Sequence, residues 1–109
     1  MKKAIIAGVF VLAGCAAGVL IFSGRAAAGN NGEALFKQHC AVCHPDGGNI
    51  INPQKTLHKK DREAHNVKTA QDIIHNMRNP GLGMAKFDEK TIPDKDAKEI
   101  AEYILKTFN

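Results

Sequence analysis

The segment Cys40-Ala41-Val42-Cys43-His44 constrains this chain more than any other. It sets two thiols three residues apart, with an imidazole directly after the second. On one helical turn the two sulfurs can each add across a vinyl group of the same haem, while the His44 ring points at the iron as proximal ligand. Two other chemistries use paired cysteines. A dithiol redox pair usually follows a strand in a βαβ pattern, and nothing around residues 30–50 alternates like a strand. A zinc site needs further ligands at a recognisable spacing, such as a second CxxC or an HxxxH downstream, and neither occurs. The spacing therefore points to one haem c, covalently attached through Cys40 and Cys43. It also bears on folding, because a short domain has a marginal apolar core of its own and a buried macrocycle would supply the missing mass.

The chain opens with Lys2 and Lys3, followed at residues 4–22 by nineteen uncharged, largely apolar residues. This is the pattern of an export leader, so residues 1–28 are expected to form a leader or membrane tether and residues 29–109 the folded domain. Export and covalent haem attachment support each other, since attachment occurs on the far side of a membrane. Three processing signals overlap. Leu12-Ala13-Gly14-Cys15 resembles a bacterial lipobox, which would leave a lipid on Cys15. Ala26-Ala27-Ala28 suits ordinary signal peptidase and would leave Gly29 first. The apolar run is also close to the ~20 residues that cross a bilayer uncleaved.

Of 15 basic residues, Lys2, Lys3 and Arg25 fall in the leader, so 12 face all 11 acidic ones in the domain. A near-neutral domain gives no basis for nucleic-acid binding, and none is expected. Lys55, Lys59, Lys60 and Arg62 cluster, as do Asp88, Glu89, Asp94, Asp96, Glu99 and Glu102. Such runs read as solvated faces or as charges that orient a docking partner.

The periodicity predicts an all-α domain of about four helices. Asn30, Asn31 and Gly32 precede Glu33, which suits a first turn, and a helix can run to about Cys43. Lys55 to Arg62 reads as a short basic helix. Thr69 followed by Asp72 resembles a capping box opening a helix through Ile73, Ile74 and Met77, which Asn79-Pro80 stops. Pro93-Asp94 starts the last helix, with Asp94 as its cap and an apolar stripe of Ala97, Ile100, Ala101, Ile104, Leu105 and Phe108.

A haem held by His44 leaves one axial position, for which Met77, Met84, His39, His58, His65 and His75 are candidates. Met84 is the best of them. It follows Pro80-Gly81-Leu82-Gly83, a loop that allows close approach of backbone to cofactor, and Phe87 comes three residues later to cover the ring. Met77 shares an apolar helix face with Ile73 and reads as core. His39 is expected to face solvent, His58 and His65 lie in a charged stretch, and His75 reads as a surface or partly buried side chain.

With these residues in view, the domain resembles a class I cytochrome c of the short cytochrome c6 type across nearly all of residues 29–109. Gly32-Glu33-Ala34-Leu35-Phe36 is similar to that family's first helix, where a glycine and an aromatic one turn apart let the terminal helices cross closely. Tyr103-Ile104-Leu105 is similar to the matching part of the last helix. Lys55-Thr56-Leu57 and Met84-Ala85-Lys86-Phe87 resemble further family segments, and Met84 lies 40 residues after His44, a separation similar to the family's. Ala85 stands where the family often has proline, and the chain has no tryptophan. With Cys15, the sequence also resembles small monohaem lipoproteins of metal-reducing bacteria.

The resemblance implies a small class I fold around one haem c, with iron ligated by His44 and Met84. It implies a one-electron carrier rather than an enzyme, and a backbone carbonyl near Asn52-Pro53 accepting the Nδ1 proton of His44. The protein would be exported to the periplasmic space, soluble or tethered through a Cys15 lipid or an uncleaved apolar segment. It would act as a monomer that docks transiently with redox protein donors and acceptors. Two rivals stay open: a haem enzyme or sensor with a vacant or labile sixth position, and an envelope assembly protein whose haem mainly holds the fold.

Overall fold

The computed structural model describes residues 31–109, so the readings on residues 1–30, Cys15 and Asn30 included, lie outside the described residues. Among the described residues four α-helices follow one another: α1 (Gly32–His39), α2 (Lys59–Ala64), α3 (Ala70–Arg78) and α4 (Asp94–Thr107), with one 3-10 turn at Pro45–Gly47. Among the described residues there is no strand, and no helix is long and apolar enough to cross a membrane.

The terminal helices α1 and α4 cross at Gly32. A Cβ there would collide with the Glu99 carbonyl oxygen and come within 2.8 Å of Tyr103 Cβ, so only glycine lets the two backbones approach so closely. Phe36, one turn on, is buried against Tyr103 and Phe108, with ring centroids 5.3 and 5.4 Å away. The apolar stripe of α4 and the α3 residues Ile73 and Met77 complete the core, together with Ile92, which is fully buried just before α4.

Helix α3 starts where local chemistry dictates. The Asp72 amide donates to Thr69 Oγ1 at 3.1 Å, and the Asp72 carboxylate accepts from the amides of Thr69 and Lys68, both at 2.9 Å. These amides, Lys68 first, hold the Asp72 carboxyl below its ordinary range.

Three boundaries differ from the sequence reading. Helix α1 ends at His39 rather than near Cys43, because the Ala41 amide reaches back five residues to Phe36 O and the ladder gives way to turns through Cys43. Helix α2 begins at Lys59 rather than Lys55, since neighbouring amides are used elsewhere: Leu57 donates to Gly47 O at 2.7 Å and Lys59 to Phe108 O at 2.8 Å. In α4, Asp94 is the first helical residue and Pro93 the cap, with no side-chain cap bond. Asp94 instead pairs with Arg78 at 2.8 Å.

Candidate functional site

A cleft of about 480 Å³ opens between the segment after α1 and the loop after α3. Cys40, Cys43 and His44 line one part of it and residues 80–85 with Phe87 another, while Ile73, Met77 and Ile104 reach it from the core. The four residues singled out in the sequence, Cys40, Cys43, His44 and Met84, thus contribute to one lining.

Cys40 is buried and Cys43 half-buried. Burial pushes the Cys40 thiol up to about 11, with neighbouring Cys43 adding to the rise. A reactive dithiol needs the opposite, a thiolate stabilised near neutral pH, so the environment of Cys40 does not suit disulfide exchange. His44 Nδ1 stands 2.7 Å from the Gly48 carbonyl oxygen. With the proton on Nδ1 and donated to that oxygen, the lone pair of Nε2 is left for a metal. The acceptor is therefore Gly48, not the Asn52-Pro53 segment. The Asn52 carbonyl is used by the Lys55 amide at 2.9 Å, inside a turn whose Asn49 side chain also gathers the amides of Ile51 and Asn52.

Met84 is partly exposed on a loop tied down at its far end. The Phe87 amide donates to Met77 O at 2.9 Å, and Arg78 Nη1 donates to Phe87 O at 3.1 Å while its Nη2 reaches Asp94. Gly83 lies against Ile51, so the loop also meets the segment after His44. Of the other candidates, Met77 is a buried core residue, as its helical position suggested. His39 is half-buried and lines the cleft, its ring edge-on to Phe87 at 6.2 Å, rather than facing solvent. His65 is exposed at the rim, and His58 packs edge-on against Phe108 at 5.7 Å. His75 is exposed on α3.

Arg62 departs most from the sequence reading. Placed there among solvated charges, it is only 4% exposed and lines the cleft. Its Nε donates to Leu57 O at 2.7 Å and its Nη2 to Phe108 O at 3.4 Å. Among the described residues no carboxylate comes within the 4.0 Å of an ion pair with it. A buried guanidinium without an anion is costly, and a ligand that brings its own carboxylates removes that cost. Thiols, an imidazole with a free Nε2, a thioether, apolar walls and an unpaired buried cation together fit a haem, which has a hydrophobic ring and two propionates.

Residues 27–104 match the family model described as cytochrome c oxidase, cbb3-type, subunit III. Among curated proteins, the chain is 35% identical over 97 residues to cytochrome c6 of Nostoc sp., covering 87% of this chain and 86% of that one. It is 37% identical over 76 residues to cytochrome c6 of Pyropia tenera, covering 70% and 88%. Among solved structures, outer membrane cytochrome OmcF of Geobacter sulfurreducens is 47% identical with a TM-score of 0.70, covering 72% of this chain and 99% of that one. The reduced cytochrome 6A of Arabidopsis thaliana is 34% identical with a TM-score of 0.62, covering 69% and 87%.

Proposed function

This chain belongs to the cytochrome c6-like monohaem class I cytochromes, and on that premise we propose that it passes single electrons within a cell envelope, with haem c held by Cys40 and Cys43 and its iron clamped between His44 and Met84. The observation that carries the ligand assignment is the shared lining: one cleft collects these four side chains while Gly48 O occupies His44 Nδ1.

Haem iron supplies a reversible one-electron couple. The protein's part would be to hold His44 and Met84 still. Gly48 O fixes the imidazole through Nδ1, and the Arg78 and Phe87 bonds anchor the methionine loop, so little needs to move when the charge changes. The thioether of Met84 and the apolar walls favour the reduced state, which raises the potential above that of a bis-histidine site. Arg62, buried in the cleft lining, would offset the negative charge of the haem propionates. Around the cleft, Val42, Ile51 and Leu82 present exposed apolar surface, suited to a small and transient contact with donor and acceptor proteins.

The leader of residues 1–28 directs the domain to the periplasmic side, where it works as a monomer, free or tethered through Cys15 or an uncleaved apolar segment. Intact mass of the mature protein distinguishes these forms, an unmodified Gly29 terminus eliminating both tethers. The functional reading is tested by haem staining after denaturing electrophoresis and a reduced visible spectrum. Covalent stain and a six-coordinate, low-spin spectrum are expected. A colourless exported protein, or a high-spin, five-coordinate ferric spectrum, would overturn it.

A further inference from the structure

The last aromatic residue of the chain lies on the turn that follows the CxxCH segment. Phe108 is buried among Phe36, His58 and Tyr103, with ring centroids 5.4, 5.7 and 5.9 Å away. Its further neighbour is Gly47. At φ +78° this residue has a left-handed backbone, and a Cβ built on it would lie 2.7 Å from Phe108 Cγ, so the ring rests directly on the backbone of the turn. The Gly47 carbonyl accepts the Leu57 amide at 2.7 Å, and the Phe108 carbonyl accepts the Lys59 amide at 2.8 Å and Arg62 Nη2 at 3.4 Å. The turn is therefore held by the ring and by the 57–59 segment together. The next carbonyl along the chain, that of Gly48, is the one 2.7 Å from His44 Nδ1.

The hydrogen bond to a ligating histidine sets its orientation and its basicity toward the metal. A strong acceptor on Nδ1 makes the imidazole a better donor and favours the oxidised iron. Loosening the Gly47-Gly48 turn weakens that acceptor.

We propose that Phe108 is a positioning residue for His44: its ring fixes the Gly47-Gly48 turn and, through the Gly48 carbonyl, holds the imidazole and lowers the reduction potential. This deepens the electron-carrier reading and rests on it. A purely packing role for Phe108 makes a different forecast, since lost burial admits water and lowers the potential.

The experiment uses the mature, haem-loaded protein and compares Phe108→Leu and Phe108→Met with Phe36→Leu, a change in the same aromatic cluster. The three atoms nearest the Gly47 Cβ position all belong to Phe108, which makes Phe36 the packing control. NMR measures the exchange rate of the His44 Nδ1 proton, and a redox titration measures the midpoint potential. In both Phe108 variants, exchange should quicken about tenfold as the local bond opens more often, and the potential should rise. Phe36→Leu should lose thermal stability without faster exchange at His44, and its potential should stay level or fall. The inference is overturned if the Phe108 variants match Phe36→Leu at His44, or if their potential falls. A wild-type chain without a haem band would overturn the carrier reading as well, whereas an unchanged His44 overturns this inference alone.

Discussion

Replacing Gly32 by alanine sets two effects against each other, and the structure decides the sign. Helix propensity alone favours the change by about 0.5–1 kcal/mol, less at a first helical position than in the interior. Against this, the new methyl would sit on the Glu99 carbonyl oxygen and 2.8 Å from Tyr103 Cβ. Both obstacles belong to the α4 scaffold, so neither can swing aside as the tip of a flexible side chain would. Relief requires α1 and α4 to separate, a form of overpacking that costs about 1–3 kcal/mol. The net loss is about 0.5–2.5 kcal/mol, and at about 4–8 °C per kcal/mol for a domain of this size Tm falls by about 2–20 °C. Thermal unfolding of the haem-loaded protein, followed by far-ultraviolet circular dichroism, measures it. Ala34→Gly is the control, since it is exposed on the same helix and should cost only the propensity difference of about 0.5–1 kcal/mol. If Gly32→Ala melts at or above the wild-type temperature, the argument from close helix approach is refuted.

Arg62→Met removes the bonds to Leu57 O and Phe108 O while keeping most of the volume, and should destabilise by about 1.5–3 kcal/mol in chemical denaturation; an unchanged midpoint would mean that the guanidinium ties nothing together. Asp72 is held below its ordinary 3.8 by the amides of Lys68 and Thr69, so its contribution is present above that value and lost as pH falls through the depressed folded value. The acid limb of a Tm-against-pH curve should therefore flatten in Asp72→Asn, and an identical limb would remove this residue from the pH dependence. Met84→Ala should convert the ferric spectrum from low to high spin while haem staining persists, and an unaltered spectrum would assign the sixth ligand elsewhere.

Features written in local chemistry were legible in the sequence. The Thr69–Asp72 capping box and the Pro80 stop bracket α3 where the residues say they should, because every group involved lies within a few positions. The apolar stripe of α4 is likewise a matter of period, and Gly32 with Phe36 marked the helix crossing through family resemblance. What was not legible depends on partners far along the chain. The start of α2 moved because Lys59 donates to a carbonyl 49 positions later, at Phe108. Arg62 looks like its lysine neighbours in sequence, and only the fold turns it inward onto the backbone of the C-terminal end. The acceptor for His44 followed from the tight turn at Gly47, which no periodicity signals.

The crossing of α1 with α4 has a consequence for biogenesis. Helix α1, the first of the described helices, finds its partner surface only on α4, and Phe36 rests against Phe108 beyond it. A nascent chain cannot close this core before α4 has been made, because the surface that completes α1 lies at the far end of the domain. Until α4 docks, the core that buries Cys40 stays open, and the CxxCH segment precedes in sequence the helix that closes over it.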